Sequence, residues 1–379
     1  PTLGTSNVRF GVNAGNSIVS GGTQNVVVGD EAGTALTTGN SNVAVGYAAL
    51  TADTLGDRNV AVGVGALIAQ NFTSTTDVYN TAVGYRSGAS VTTGYNNTLI
   101  GGLAGDSITT GHSNTTLGVS SLGINTTGIY NLALGISALQ SNTTASYNTA
   151  VGSRSLEANT TGTENTAVGF SSLDANTTGS YNVALGSYAL TTDTLGSRNV
   201  AIGRSALQAQ NFTSATSSYN TAMGYAAGAA VTTGLRNTYI GGLAGDEATT
   251  ANDNTGVGYG ALSAPGTGTQ NTAIGTAALN VNTDGDNNTA VGRNALLANT
   301  TADNNTAVGY ASLGANTTGG NNTAVGYESL LDNTTGAQNT SVGFRSLFNN
   351  TTASNNVAVG QDALYTNTTG ANNVALGHS

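Results

Sequence analysis

The chain of 379 residues contains no cysteine, no tryptophan and no lysine, and only 7% of it is charged. Without cysteine there are no disulfides and no thiolate metal sites, which suits an extracellular protein that must not cross-link during export. All nine basic residues are arginines, set against nineteen acidic ones for a net charge of −10. With no basic run to neutralise phosphates, nucleic acid and anionic membrane surfaces are poor partners. No apolar run approaches the ~20 residues of a membrane span. The chain opens at Pro1 without a methionine or a signal peptide and stops soon after its last repeat begins, which suggests a processed product or a segment of a longer polypeptide.

What it has in excess is glycine, 54 residues, about twice the usual share. So much Gly, Asn, Thr and Ser would fit disorder, but disordered chains lack phased apolar positions. Here the phasing is strict. The phrase Asn165-Thr166-Ala167-Val168-Gly169 opens a unit of seventeen residues, and its first asparagine recurs twenty-two times between Asn7 and Asn373. The interval departs from seventeen only after Asn7, where it is eighteen, and after Asn59 and Asn199, where it is twenty-one. So short a period predicts an all-β parallel β-solenoid, a β-roll whose coils bury their apolar side chains only against neighbouring coils. With strands stacking at ~4.8 Å, one continuous solenoid over residues 1–379 would be a rod of roughly 105 Å.

Numbering each coil from its asparagine, position 4 is aliphatic almost throughout (Val45, Ile100, Leu134, Val168, Val325), and position 2 is Val, Thr or Leu. Residues two apart share a strand face, so positions 1 to 4 read as a strand with 2 and 4 inward. Position 3, usually alanine (Ala44, Ala133, Ala167, Ala307), then points outward, and a persistent outward alanine suggests a surface pressed against another copy of the chain. Position 5 is glycine in all twenty-two units, which calls for a positive φ or a close approach of backbone. A second strand is expected over the Leu-x-x-Asn-Thr-Thr run, before a second turn at position 15.

Positions 9 and 12 covary. In fifteen complete coils position 9 is leucine and position 12 is Asn, Asp, Gln or once Pro (Leu156 with Asn159, Leu50 with Asp53, Leu262 with Pro265). In six, position 9 is glycine and position 12 is apolar: Gly15 with Ile18, Gly33 with Leu36, Gly88 with Val91, Gly105 with Ile108, Gly228 with Val231 and Gly245 with Ala248. Two side chains competing for one interior space explain the exchange. Position 12 therefore faces inward, and a buried amide needs partners. Asparagines stacked coil on coil supply them, as in side-chain ladders of stacked parallel strands. The expected structural ladder is represented by Asn148, Gly152, Asn159, Asn165, Gly169, Asn176, Asn182 and Gly186.

A longer repeat overlies the short one. Segments near 42–181 and 182–321 match at a spacing of 140 residues, eight coils with one four-residue insertion, as though the rod had been lengthened by copying. The inserted loops Asn71-Phe72-Thr73-Ser74 and Asn211-Phe212-Thr213-Ser214 are the natural recognition candidates, with Asn71, Phe72, Asn211 and Phe212 as the residues to watch, since loops carry function more often than regular coils. The alternative is a bulge whose Phe folds back over the rod.

Asn-Thr/Val-Ala-Val-Gly followed by Ser/Ala-Leu resembles the head repeats of trimeric autotransporter adhesins of the YadA-like kind, whose signature is Asn-Ser-Val-Ala-Ile-Gly. It is also similar to repeat regions of phage tail-fibre-like proteins. The resemblance spans Asn7 to Gly377. It implies a left-handed β-roll in a homotrimer on a cell or virion surface, although the seventeen-residue period and the Asn-Thr-Thr run depart from the adhesin pattern.

Other chemistry is thinly represented. His112 and His378 have no repeated partner, and the glycine phrases lack the context of a phosphate loop. Asp53, Asp57, Asp193, Asp284 and Asp286 offer oxygen ligands, but not in the Gly-Gly-x-Gly-x-Asp pattern of calcium β-rolls. No metal, cofactor or catalytic residue is therefore assigned. Asn-Thr-Thr also fits the N-glycosylation pattern, the ladder being the preferred meaning. The expectation is a structural extracellular fibre or adhesin shaft, not an enzyme, whose partner is itself as a homotrimer or a head-to-tail filament, with a surface glycan or host receptor as a further partner. The alternative is an ice-binding or carbohydrate-binding solenoid. Thr at positions 13 and 14 points to opposite faces, leaving ice one threonine row. A polysaccharide depolymerase would need a carboxylate pair across a groove, and the acidic residues are scattered.

Overall fold

The computed structural model describes residues 5–264 and 266–378 and is all-β, a parallel solenoid of about 22 turns with no helix among the described residues. It forms two compact units, Pro1–Val183 and Ala184–Ser379. Their boundary falls beside the junction of the two duplicated segments. Every coil contributes one three-residue strand at positions 2 to 4, such as Thr149–Val151 and Thr166–Val168. Each residue lies over its equivalent one coil away: Thr149 pairs with Thr166, Ala150 with Ala167 and Val151 with Val168. The same register runs through Thr289, Thr306, Thr323 and Thr340 in the second unit.

The strand faces are the reverse of the expectation. Alanine at position 3 is inward and has no accessible surface at Ala44, Ala133, Ala167 or Ala307, while positions 2 and 4 lie on the outside, half-buried or exposed. The proposed alanine contact face is thus interior wall. The reason is room: Leu156 and Asn159 already fill the narrow interior of their coil, both without accessible surface, and a methyl group is what remains to be placed. Where position 3 is large, position 9 is glycine. Leu99 lies in the coil of Gly105 and Tyr239 in the coil of Gly245. A Cβ on Gly105 would stand 2.9 Å from Leu99 Cδ2, and one on Gly245 would run into the Tyr239 ring.

The exchange between positions 9 and 12 has the same cause. A Cβ added at Gly33 would lie 2.9 Å from Leu36 Cδ1, and one at Gly105 would lie 2.8 Å from Ile108 Cδ1. Position 9 also has a left-handed backbone, with φ of 52° at Leu50, 51° at Leu156 and 52° at Gly33. Leucine is strained there and glycine is not, so burial keeps the leucine in place. Pro265, the one proline at position 12, lies outside the described residues.

Among the described residues, no second strand forms over the Leu-x-x-Asn-Thr-Thr run. Positions 7 and 9 are left-handed, as at Ala48 and Leu50, and a β-ladder cannot pass through them. The amides nevertheless bond coil to coil: Leu50 N–H donates to Ala66 C=O at 3.0 Å and Thr37 N–H to Thr54 C=O at 3.0 Å. Glycine at position 5 meets both demands read from the sequence. Gly152 has φ of 132°, and a Cβ there would lie 2.5 Å from the Gly169 carbonyl oxygen.

Candidate functional site

Two columns of buried asparagine run through the coils and meet at one acceptor. At position 1, Asn165 N–H donates to Asn148 Oδ1 at 3.0 Å and Asn182 N–H to Asn165 Oδ1 at 3.0 Å. Their Nδ2 groups cross the coil: Asn148 Nδ2 donates to Gly162 C=O and Asn165 Nδ2 to Gly179 C=O, each at 2.9 Å. At position 12, Asn159 Nδ2 donates to Asn142 Oδ1 at 2.9 Å and to Gly162 C=O at 3.0 Å, and Asn176 Nδ2 repeats this with Asn159 Oδ1 and Gly179 C=O. The position-15 carbonyl thus accepts from both columns. Gly152, Gly169 and Gly186 turn the chain after each strand, with φ of 132°, 132° and 133°. The Asn-Thr-Thr asparagines Asn299, Asn316, Asn333 and Asn350 sit in the same buried column, with Nδ2 doubly engaged. In the folded coil they offer no free amide to a glycan-transferring enzyme.

Each four-residue insertion lies against a buried carboxylate of the preceding coil. Asp53 has no accessible surface. Its Oδ1 accepts from Gly56 N–H at 3.1 Å and Phe72 N–H at 3.3 Å, and its Oδ2 accepts from Gln70 Nε2 at 2.7 Å. Gln70 Oε1 is committed to Asn80 Nδ2 at 2.8 Å, so only an acceptor fits opposite its amide nitrogen. Asp193 repeats the arrangement with Gly196, Phe212 and Gln210. Burial raises both carboxyl pKa values above the ordinary range, against the lowering effect of these hydrogen bonds.

Phe72 and Phe212 require a correction. Both rings fold back into the widened coil, leaving 8% and 5% of their surface accessible, and neither is presented to a partner. Four extra residues enlarge the turn, and the ring fills the added space. Asn71 and Asn211 stay exposed, their Oδ1 atoms accepting from Thr54 and Thr194 hydroxyls at 3.1 and 3.0 Å. The remaining acidic candidates serve backbone and hydroxyl groups. Asp57 accepts from Asn40 N–H at 2.6 Å, Asp286 from Thr269 N–H at 2.6 Å and Asp284 from the Thr267 hydroxyl at 2.9 Å. Among the described residues no three His, Cys, Asp or Glu side chains group as metal ligands would, and no helix is long and apolar enough to cross a membrane.

The surface that sequence reasoning missed is the outside of the strand. Position 2 sets a column of Thr, Val or Leu and position 4 a column that is Val, Ile or Leu except at Phe10 and Met223, side by side on one sheet and in register. Aromatic rings stack beside it at position 6, Tyr310 on Tyr327 at 5.1 Å and Tyr327 on Phe344 at 5.4 Å. A second ring column, Tyr95, His112, Tyr130 and Tyr147, stands at positions 16 and 17. The recurrence of Tyr and Phe one period apart was the available signal. No protein-family model matches the chain, and no curated protein matches it.

Proposed function

We propose that the chain is a structural shaft of an extracellular fibre, built to lie side by side with further copies of itself through its outward position-2 and position-4 columns. The carrying observation is that apolar side chains, Val291, Val308, Val325 and Val342 among them, stand in an unbroken outward row where a solvated sheet face would carry polar residues. The second unit has eleven such strands, which at ~4.8 Å each make a column about 50 Å long. A strip about 12 Å wide over that length offers roughly 600 Å² per copy, and the first unit repeats it over ten strands, against ~800 Å² per partner in a specific interface. The YadA-like resemblance supports three copies and a cell or virion surface, and the exposed Asn71 and Asn211 loops are where such a shaft would touch a receptor or glycan. Sedimentation equilibrium of the full chain tests the assembly. The expected species is an oligomer that Val291→Lys with Val325→Lys dissociates, and a stable wild-type monomer would overturn the reading.

A second reading has its own observation. Thr289, Thr306, Thr323 and Thr340 form a threonine row beside the valine row, so this sheet carries two ordered outward rows where positions 13 and 14 promised one. A regular lattice of hydroxyl and methyl groups is what an ice surface would match. Thermal hysteresis of the purified chain, lost in Thr306→Lys, decides for it, and its absence decides against it.

A further inference from the structure

We propose that Tyr130 and Tyr147 form a site of oxidative tyrosine–tyrosine cross-linking, and that Tyr310 and Tyr327 form a second. Composition restricts what a one-electron oxidant can attack: the chain has no cysteine, no tryptophan and a single methionine, but fifteen tyrosines. Four of them, all at position 6, have no tyrosine one coil away. Tyr47, Tyr85, Tyr225 and Tyr259 are well exposed at position 6, yet their neighbours in the column are acidic, Val, Gly, Thr or Arg residues. Tyr130 and Tyr147 instead occupy position 17 of adjacent coils, with ring centroids 5.3 Å apart and planes 12° from parallel. Tyr310 and Tyr327 stack at 5.1 Å and 13°.

Both rings of each pair are open to solvent, at 51% and 56% for the first and 38% and 46% for the second, so an oxidant reaches them and they have room to tilt. The backbone holds the register from below, with Tyr147 N–H donating to Ile129 C=O at 3.1 Å. Coupling is thereby intramolecular, and its effective concentration far exceeds that of a second molecule in dilute solution.

The chemistry needs a peroxide and a haem peroxidase, or an equivalent one-electron oxidant. Each phenol loses one electron and its hydroxyl proton, giving two phenoxyl radicals while hydrogen peroxide is reduced to two waters. The radicals join through a new bond between Cε carbons ortho to the oxygens. The two displaced ring hydrogens then move to the oxygens, restoring both hydroxyls. The net change is the loss of two hydrogen atoms, and the product ties one coil to the next. Tyr130 and Tyr147 stand at the turn before the strand, so this first site does not depend on the proposed assembly.

The test is oxidation of dilute full-length chain with horseradish peroxidase and limiting hydrogen peroxide, followed by dityrosine fluorescence and peptide mapping. The expected products are the linked 130–147 and 310–327 peptides, each two mass units light and about tenfold or more abundant than any link involving Tyr47, Tyr85, Tyr225 or Tyr259. Tyr147→Phe with Tyr327→Phe should remove both linked peptides from the monomeric product, whereas Tyr85→Phe with Tyr259→Phe should leave them unchanged. Links distributed by exposure alone, links mainly between molecules, or no link at 130–147 would overturn the proposal.

Discussion

Converting one coil from the leucine type to the glycine type tests the packing logic directly. Leu122 and Asn125 suit the purpose because the coil before them is already of the glycine type, with Gly105 and Ile108. Asn125→Ile alone brings a δ-carbon against the leucine in the space where Ile108 Cδ1 would come within 2.8 Å of a Cβ on Gly105. Overpacking of that kind costs about 1–3 kcal/mol. The lost ladder bond, Asn142 Nδ2 to Asn125 Oδ1 at 2.8 Å, adds about 1 kcal/mol, limited because Asn142 keeps its bond to Ala145 C=O. Leu122→Gly alone empties a fully buried site, at about 2–5 kcal/mol for loss of the side chain. Release of its left-handed backbone, φ 51°, returns about 1 kcal/mol. Combined, the isoleucine fills what the leucine vacates, and the double variant should cost only about 1–3 kcal/mol, a coupling of roughly 3 kcal/mol. Long repeat arrays need not unfold in two states, so the assay is amide hydrogen exchange of peptides spanning residues 115–145. The double variant should exchange about a hundredfold more slowly than additivity of the singles requires. Additivity within about 0.5 kcal/mol would refute the idea that the two positions share one space.

The remaining predictions concern glycine, the interior wall and the buried carboxylates. Gly152→Ala puts a Cβ 2.5 Å from the Gly169 carbonyl oxygen at a φ of 132°, and should loosen the coils on either side by about 3 kcal/mol or more, seen as local loss of exchange protection. Ala167→Leu should cost about 1–3 kcal/mol by overpacking, whereas Val168→Leu on the outside of the same strand should change thermal stability little; equal effects would reverse the assignment of faces. Because burial raises the folded-state pKa of Asp53 and Asp193, the native chain holds protons the unfolded chain has released. Their contribution is therefore fully present below the ordinary aspartate value and is lost as pH rises through the raised value. A melting temperature that rises on acidification through that window, with the slope reduced in Asp53→Asn with Asp193→Asn, is the expected result; identical slopes would count against it.

Much of this was legible before any coordinates, because a repeated residue reports a repeated environment. Glycine at position 5 implied a constrained backbone, and the exchange at positions 9 and 12 implied a shared volume. Asparagine at an inward position implied partners one coil away. The Phe of the insertions was not legible. Nothing in Asn-Phe-Thr-Ser says whether the ring turns out or in, since that depends on the space the enlarged coil leaves beside Asp53 and Gln70.

By itself, the order of residues determined the period, the parallel stacking, the existence of a buried amide column and the alternation along each strand. Which face of the strand was inner only the tertiary structure decided. A period of two separates one face from the other without naming either, and in most proteins the larger apolar residues go inside. Here Leu156 and Asn159 reach across the coil and consume the interior before the strand closes over it. Alanine therefore becomes the wall and valine the surface, because volume, and not hydrophobicity, is what the interior of a seventeen-residue coil has least of.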